Sequence, residues 1–330
     1  MNFRALRALA RIGAGLVLLA ILATLNRNGR SVPAPFAHDA VIRFENVPLD
    51  NSAPGRTSLG RLRYLAGWSL SSSNGYFGGI SAMHVEGGIV TALSDSGHII
   101  RFAVPHAVSG SMRGRIDPLG DGPGSPLRKQ DRDTESLAIA GNDAWIGFER
   151  RNMVWRYRTT NWRSDAHAAP PAMKAWPKNG GAEGLVRLRD GRFLVFSEDA
   201  RLPDGSSQLL LFDGDPTLPQ SRPTLLGYRG VPGFYATDAA ELPDGRLLIL
   251  NRRFSIAGSF TAKLVIAALP SAGQTVSGRI IATLKSPVTV DNMEALSVTT
   301  EAGRTIVWIA SDDNFSQPLQ RTLLLKFALD

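Results

Sequence analysis

The sequence predicts an all-β chain folded as a β-propeller, and three observations carry that expectation. One hairpin pattern recurs along the chain: a polar opener, an alternating apolar run, a tight turn, a second apolar run and a polar closer. The openers are Ser81, Glu135, Glu183, Asp238 and Glu294, at steps of 54, 48, 55 and 56 residues. Repeats of about fifty residues built from short strands are the signature of four-stranded blades. Loops rich in Gly and Pro separate these units, with 33 Gly and 20 Pro in 330 residues. The last repeat shows only three strands, at 293–299, 305–310 and 321–329, while an unpartnered run at 61–70 precedes the first. The N-terminal strand is therefore expected to complete the C-terminal blade, which leaves no open edge. Five blades result, or six if a degenerate one occupies residues 41–70 or the loops.

Residues 1–30 read as a signal peptide or an N-terminal membrane anchor. Arg4, Arg7 and Arg11 precede an uncharged run over 12–25, long enough for a signal core and short for a spanning helix. Basic residues ahead of that run send the remainder outward. A periplasmic or otherwise exported location is expected, with inner-membrane anchoring if the segment is retained. Residues 31–40 form a tether and 41–330 the propeller domain, opening on a strand at 41–49. The Gly-rich stretch 120–125 is read as a connector, because no strand–loop–helix context supports a phosphate cradle. Residues 163–176 are read as another connector. The 242–245 turn (LPDG) is a hairpin tip at the end far from the acids. The last hairpin is expected to carry an extended turn over 300–304.

Composition narrows the function. The chain has no cysteine, so disulfides, thiol catalysis and Cys-zinc sites are excluded. Of the net charge of +8, five units lie in residues 1–30, and no basic stripe with interleaved aromatics follows; nucleic acid is not expected as a partner. A monomer is expected.

In a propeller the innermost strands line a central channel, so polar groups at equivalent strand ends converge on one face. The ring so defined holds Asp95, Glu135, Glu149, Glu183, Glu198, Asp199, Asp238, Asp291, Glu294, Asp312 and Asp313. Two carboxylates ~6 Å apart repel by about 3 kcal/mol at an effective dielectric of roughly 20. Such acids must protonate, pair with arginine or hold a metal. Oxygen-only donors favour a hard cation, Ca²⁺ ahead of Mg²⁺. The expected metal ligands are Glu135, Glu183, Asp291, Glu294, Asp312 and Asp313. The catalytic candidates are Glu135, Glu183, Glu294 and Asp312; Arg150, Arg252, Arg253, Asn292 and Asn314 are the candidates for holding substrate. No GxSxG or HExxH motif occurs and the five histidines are scattered, so a hydrolase here would use a metal-activated water.

The chain resembles the "esterase-like activity of phytase" family, bacterial propellers distantly related to alkaline phytases. The matching pieces include FGGISAM (77–83), DTESLAI (133–139), FER (148–150), NGGAEGLVRLRDG (179–191), SED (197–199), FYATDAAELPDG (234–245), LNRRFS (250–255), DNMEALSV (291–298) and SDDNF (311–315). The resemblance implies hydrolysis of phosphate or carboxylic esters, a small anionic ester substrate and, by analogy with alkaline phytases, calcium. Two departures stand out: residues 94–97 read SDSG where the family usually has Arg after the Asp, and Ser81 fills an opener position that is otherwise acidic. The clustered Lys/Arg/His phosphate site of a true phytase is not seen. The alternative function is a non-catalytic envelope propeller that binds a ligand or protein partner, with the acidic and Arg ring structural.

Overall fold

A computed structural model describes residues 37–126, 128–270 and 273–330. The expected leader and most of the tether lie outside the described residues. Among the described residues, no helix is long and apolar enough to cross a membrane.

Three strands come first: β1 (Asp39–Asn46), β2 (Ser58–Leu59) and β3 (Leu62–Ser72). Blade one is β4 (Ile80–Glu86), β5 (Ile89–Ser94), β6 (His98–Ala103) and β7 (Ser109–Pro118). Blade two is β8 (Thr134–Ala140), β9 (Asp143–Phe148), β10 (Met153–Arg158) and β11 (Arg163–Ala168). Blade three is β12 (Ala182–Arg187), β13 (Phe193–Arg201), β14 (Ser207–Phe212) and β15 (Pro223–Arg229). Blade four is β16 (Tyr235–Glu241), β17 (Leu247–Ser255), β18 (Ser259–Ala267) and β19 (Val276–Lys285). Blade five is β20 (Asn292–Glu301), β21 (Arg304–Asp312) and β22 (Thr322–Leu329), with β3 paired antiparallel to β22 as its fourth strand. The closure expected from 61–70 is present, from Leu62 opposite Leu329 to Leu70 opposite Thr322.

Five blades account for all the described strands but β1 and β2, and no sixth is hidden in 41–70. Instead β1 runs along the outer edges of two blades, pairing with β7 of blade one and β3 of blade five. It welds the first blade to the last. The five innermost strands then form a closed ring, β4–β8–β12–β16–β20 and back to β4.

Cores lie between facing blades, where the apolar residues of each alternating run interdigitate. Between blades two and three, Trp145 meets Phe193 edge-on at 4.9 Å. In blade five Trp308 is 1% exposed, donates from Nε1 to Thr299 Oγ1 at 3.1 Å, and carries Lys326 over its ring. Each fully buried large side chain contributes about 2–3 kcal/mol of transfer free energy.

Two local expectations are corrected. Residues 163–168 are the outer strand of blade two, not a connector. The segment carries no large apolar side chain because an outer strand has little core to face. Its Asp165 carboxylate ties it to Arg156 and Arg158 of β10 at 2.8 and 2.7 Å. The last hairpin has longer strands closed by a two-residue Ala302–Gly303 turn, not an extended one. Both turn residues have positive φ, 48° and 75°, the arrangement whose twist suits a hairpin.

Candidate functional site

Each innermost strand carries a β-bulge at the same place. In the pairing to its neighbour the register skips between Ile80 and Ala82, Thr134 and Ser136, Ala182 and Gly184, Ala236 and Asp238, and Met293 and Ala295. The unpaired residues are Ser81, Glu135, Glu183, Thr237 and Glu294. Bulges re-aim side chains and recur beside active sites. In blade four the bulge falls on Thr237, so Asp238, the sequence-based opener, is one residue out of the repeat.

The second strands supply an outer tier. The residues paired just before each bulge are Ser94, Phe148, Ser197, Asn251 and Ser311, and those that follow them are Asp95, Glu149, Glu198, Arg252 and Asp312. The ten positions thus present seven carboxylates, one guanidinium and two hydroxyls. The hydroxyls are committed to the next blade: Ser81 Oγ donates to Thr134 O at 2.6 Å and Thr237 Oγ1 to Met293 O at 3.3 Å.

The carboxylates act on one another across the axis. Burial, then the charges of Asp133, Asp95, Glu149 and Glu294, push Glu135 well above the usual range. Glu183 is pushed well up by burial and by Glu135, Glu198, Glu149 and Glu294. Asp312 rises by burial and by Asp95 and Glu294. Burial also raises Asp95, Glu149 and Glu198, in each case against a partly compensating neighbour. Glu294 is pushed up to about 7 by burial, with Arg252 pulling the other way. Glu149 and Glu183 lie close enough to oppose each other's ionisation.

Asp133, Glu135 and Glu149 offer one oxygen each within 4.8 Å of one another, the geometry a cation needs. Nearby, Asp95 Oδ1 and Asn292 Oδ1 are buried acceptors with no hydrogen-bond partner. Three cations border the ring. Arg150 Nε is 2.5 Å from Asp133, Lys129 Nζ is 2.5 Å from Asp95, and Arg252 bridges Glu198 at 3.2 Å and Glu294 at 3.0 Å.

The structure brings together Glu135, Glu183, Glu294, Asp312, Arg150 and Arg252, with Asn292 beside Glu294. Other candidates serve the framework. Asp291 accepts from its neighbour Asn292 N at 3.0 Å and from Arg321 N at 3.1 Å. Asp313 accepts from Gly79 N at 2.8 Å and Gln317 Nε2 at 2.7 Å, tying blade five to blade one. A Cβ on Gly78 would stand 2.7 Å from Asp313 Oδ1, so this approach requires glycine. Asp238 accepts from Ala239 N and Leu296 N. Asp199 is exposed beside Arg201. Arg253 is exposed and lies over Phe234 at 4.8 Å, and Asn314 is exposed and donates to Gln320. Sequence reasoning missed Asp133, Lys129 and Thr237. The spacing of Asp133 and Glu135, two residues apart on one strand, was the signal available for the first.

Fold and site together define a five-bladed propeller with an acidic cluster at one end of its innermost strands. The chain belongs to the phytase-like family described as "Esterase-like activity of phytase", whose family model matches residues 75–315. No curated protein matches the chain. Among solved structures it is similar to the glutaminyl cyclase of Myxococcus xanthus, at 11% identity and TM-score 0.45, covering 77% of this chain and 92% of that one. It is also similar to the Cps50 (Swd1) β-propeller domain of Myceliophteria thermophila, at 11% identity and TM-score 0.38, covering 83% of each. At these identities the likenesses concern the fold alone.

Proposed function

We propose that this protein is an exported, metal-dependent hydrolase of phosphate or carboxylic esters, working as a monomer at this acidic cluster. The observation that carries the reading is the gathering of seven carboxylates and one guanidinium in ten equivalent positions around one axis. Such a set is mutually repulsive as it stands and suits a hard divalent cation, with Ca²⁺ the first choice for oxygen-only donors. The residues present fit it: three carboxylates converge within 4.8 Å, and the buried oxygen of Asp95 lacks a partner. Asp133, Glu135 and Glu149 would hold the ion, with Glu183 near Glu149. When bound, the ion supplies positive charge for a phosphoryl or acyl oxygen and acidity for a coordinated water.

The chain's own groups do the rest. Glu294, held near neutrality, suits proton transfer at physiological pH, where a general acid–base group works best. Arg252 holds its side chain in place. Arg150, whose side chain is 38% exposed beside Asp133, is placed to meet an anionic ester at the rim. The N-terminal segment supports export, with anchoring if it is retained.

Turnover of nitrophenyl phosphate and nitrophenyl acetate, with calcium and with chelator, tests the reading. Calcium-dependent hydrolysis of either, lost in Glu135→Gln, supports it. Folded protein inert toward both with calcium present would favour a ligand-binding propeller with a structural ion.

A further inference from the structure

At the acidic end of blade four the β17–β18 hairpin outruns its neighbours. β16 stops pairing at Tyr235 opposite Arg252, and β19 stops at Lys285 opposite Thr261. Among the described residues, the pairs Phe254–Phe260 and Ser255–Ser259 therefore have no strand on either side. By strand rise the tip stands roughly 10 Å beyond Arg252. The stretch 254–260, FSIAGSF, carries no charge. Ile256 is 98% exposed and Phe254 58% exposed, and the Phe254 and Phe260 ring centres lie 4.9 Å apart. A two-stranded ribbon with nothing to pack on is marginal in water. At the same end of the neighbouring blade five, the β21–β22 connection adds Phe315, 41% exposed, and Leu319, 74% exposed.

Cations stand behind the tip. Arg253 and Lys263 both lie over the Phe234 ring, at 4.8 and 4.6 Å, and no carboxylate among the described residues comes to ion-pair distance of either. The acids Asp95, Glu149, Glu183 and Asp312 at this end are buried. Lys129 and Arg150 beside them are exposed, and the exposed Asp199 stands 3.6 Å from Arg201. An uncharged apolar tip with cations just behind it suits an anionic membrane surface. Apolar side chains pass the headgroups, and long cationic ones reach back to the phosphates. A two-fold contact with a second copy would instead set these cations against themselves.

We propose that this end of the protein docks on an anionic phospholipid bilayer, with Phe254 and Ile256 entering the headgroup layer and Arg253 and Lys263 meeting lipid phosphates. Interfacial segments bury their apolar face about 5–10 Å deep, a depth that the projecting tip reaches unaided. Docking does not depend on what the acidic cluster catalyses.

The chain has no cysteine, so a single one can be introduced and labelled. Ile256→Cys and, at the opposite end of blade one, Val108→Cys each take an environment-sensitive dye in the full chain; Val108 is 72% exposed. Vesicles of phosphatidylglycerol or of phosphatidylcholine are then titrated in. A dye reads its own surroundings, so entry of residues 1–30 into the bilayer would move neither label. Phosphatidylglycerol should blue-shift the label at 256 and leave the label at 108 unchanged. Adding Arg253→Gln and Lys263→Gln to the 256-labelled chain should raise the lipid needed for half the shift by at least about tenfold. No shift at 256 with phosphatidylglycerol overturns the proposal. So does an equal shift at both labels, or a shift indifferent to headgroup. A shift at 256 that grows with protein concentration in the absence of lipid also overturns it, and assigns the tip to a second copy.

Discussion

Arg252 occupies the position at which the other four blades place a carboxylate, and its Nε lies 3.0 Å from Glu294 Oε1 without the linear geometry of a hydrogen bond. Its other end reaches Glu198 at 3.2 Å. One guanidinium therefore counterbalances two acids from adjoining blades, and of the other ring carboxylates Asp95 alone, among the described residues, has a cation, Lys129, at ion-pair distance.

Arg252→Met removes that counter-charge. Breaking a pair this buried costs about 3 kcal/mol, so melting in chelator should fall by several degrees. Calcium affinity should move the other way and tighten, since a cation no longer competes with Arg252 for the ring. Calorimetric unfolding with and without calcium reads both effects. Loss of stability with weaker calcium binding would mean that Arg252 organises the ring instead of opposing its charge.

The pH dependence of stability follows from Glu294. Its folded value, about 7, lies above the ordinary 4.5. Below pH 4.5 it is protonated in both folded and unfolded chains. Between 4.5 and 7 the folded chain keeps a proton that the unfolded chain has released, so rising pH favours unfolding. For Glu294 alone the loss approaches about 3 kcal/mol and is complete above pH 7. Glu135, Glu183 and Asp312, also raised, add to it in the same direction. In chelator, stability should peak near pH 5 and decline toward neutrality; calcium should flatten the profile. A chelated protein no less stable at pH 7 than at pH 5 contradicts the charge arrangement.

Glu135→Gln separates function from folding. It removes a carboxyl whose ionisation is opposed by burial and by Asp133 and Glu149, so melting in chelator at neutral pH should rise by roughly 2–4 °C. It also removes one of three converging oxygens, and calcium affinity should fall by at least about tenfold. Destabilisation in chelator would assign Glu135 to the framework.

How legible this was in the sequence depended on the kind of pattern. Repeat spacing and apolar alternation are local properties, so the blades and the closing role of Leu62–Ser72 could be read directly. The acid-bearing strand ends were legible because openers and closers recur. The bulge was not. Thr237 and Asp238 are adjacent and both polar, and only the pairing of Ala236 with Asn251 and of Asp238 with Leu250 shows which one is left out. Asp133 was hidden by the expectation of one acid per opener. The polar strand β11 lacked the alternation by which strands are recognised, since ion pairs to β10 hold it.

Asp238 provides the converse test, because it belongs to the same acidic segment yet serves as a strut. Its Oδ1 accepts from Ala239 N at 2.8 Å and its Oδ2 from Leu296 N at 2.7 Å, joining blade four to blade five. Both oxygens are thus occupied by backbone donors, and the residue is 5% exposed. In Asp238→Asn one oxygen becomes an NH₂ facing an N–H. That leaves a buried donor unpaired, at a cost of about 1–3 kcal/mol. Melting should drop by several degrees at every calcium concentration, while calcium affinity stays within about twofold of the wild type. This is the reverse of Glu135→Gln, and the two variants measured side by side distinguish strut from ligand. If Asp238→Asn instead lost calcium affinity with little change in stability, the bulge register would not be what selects the ring.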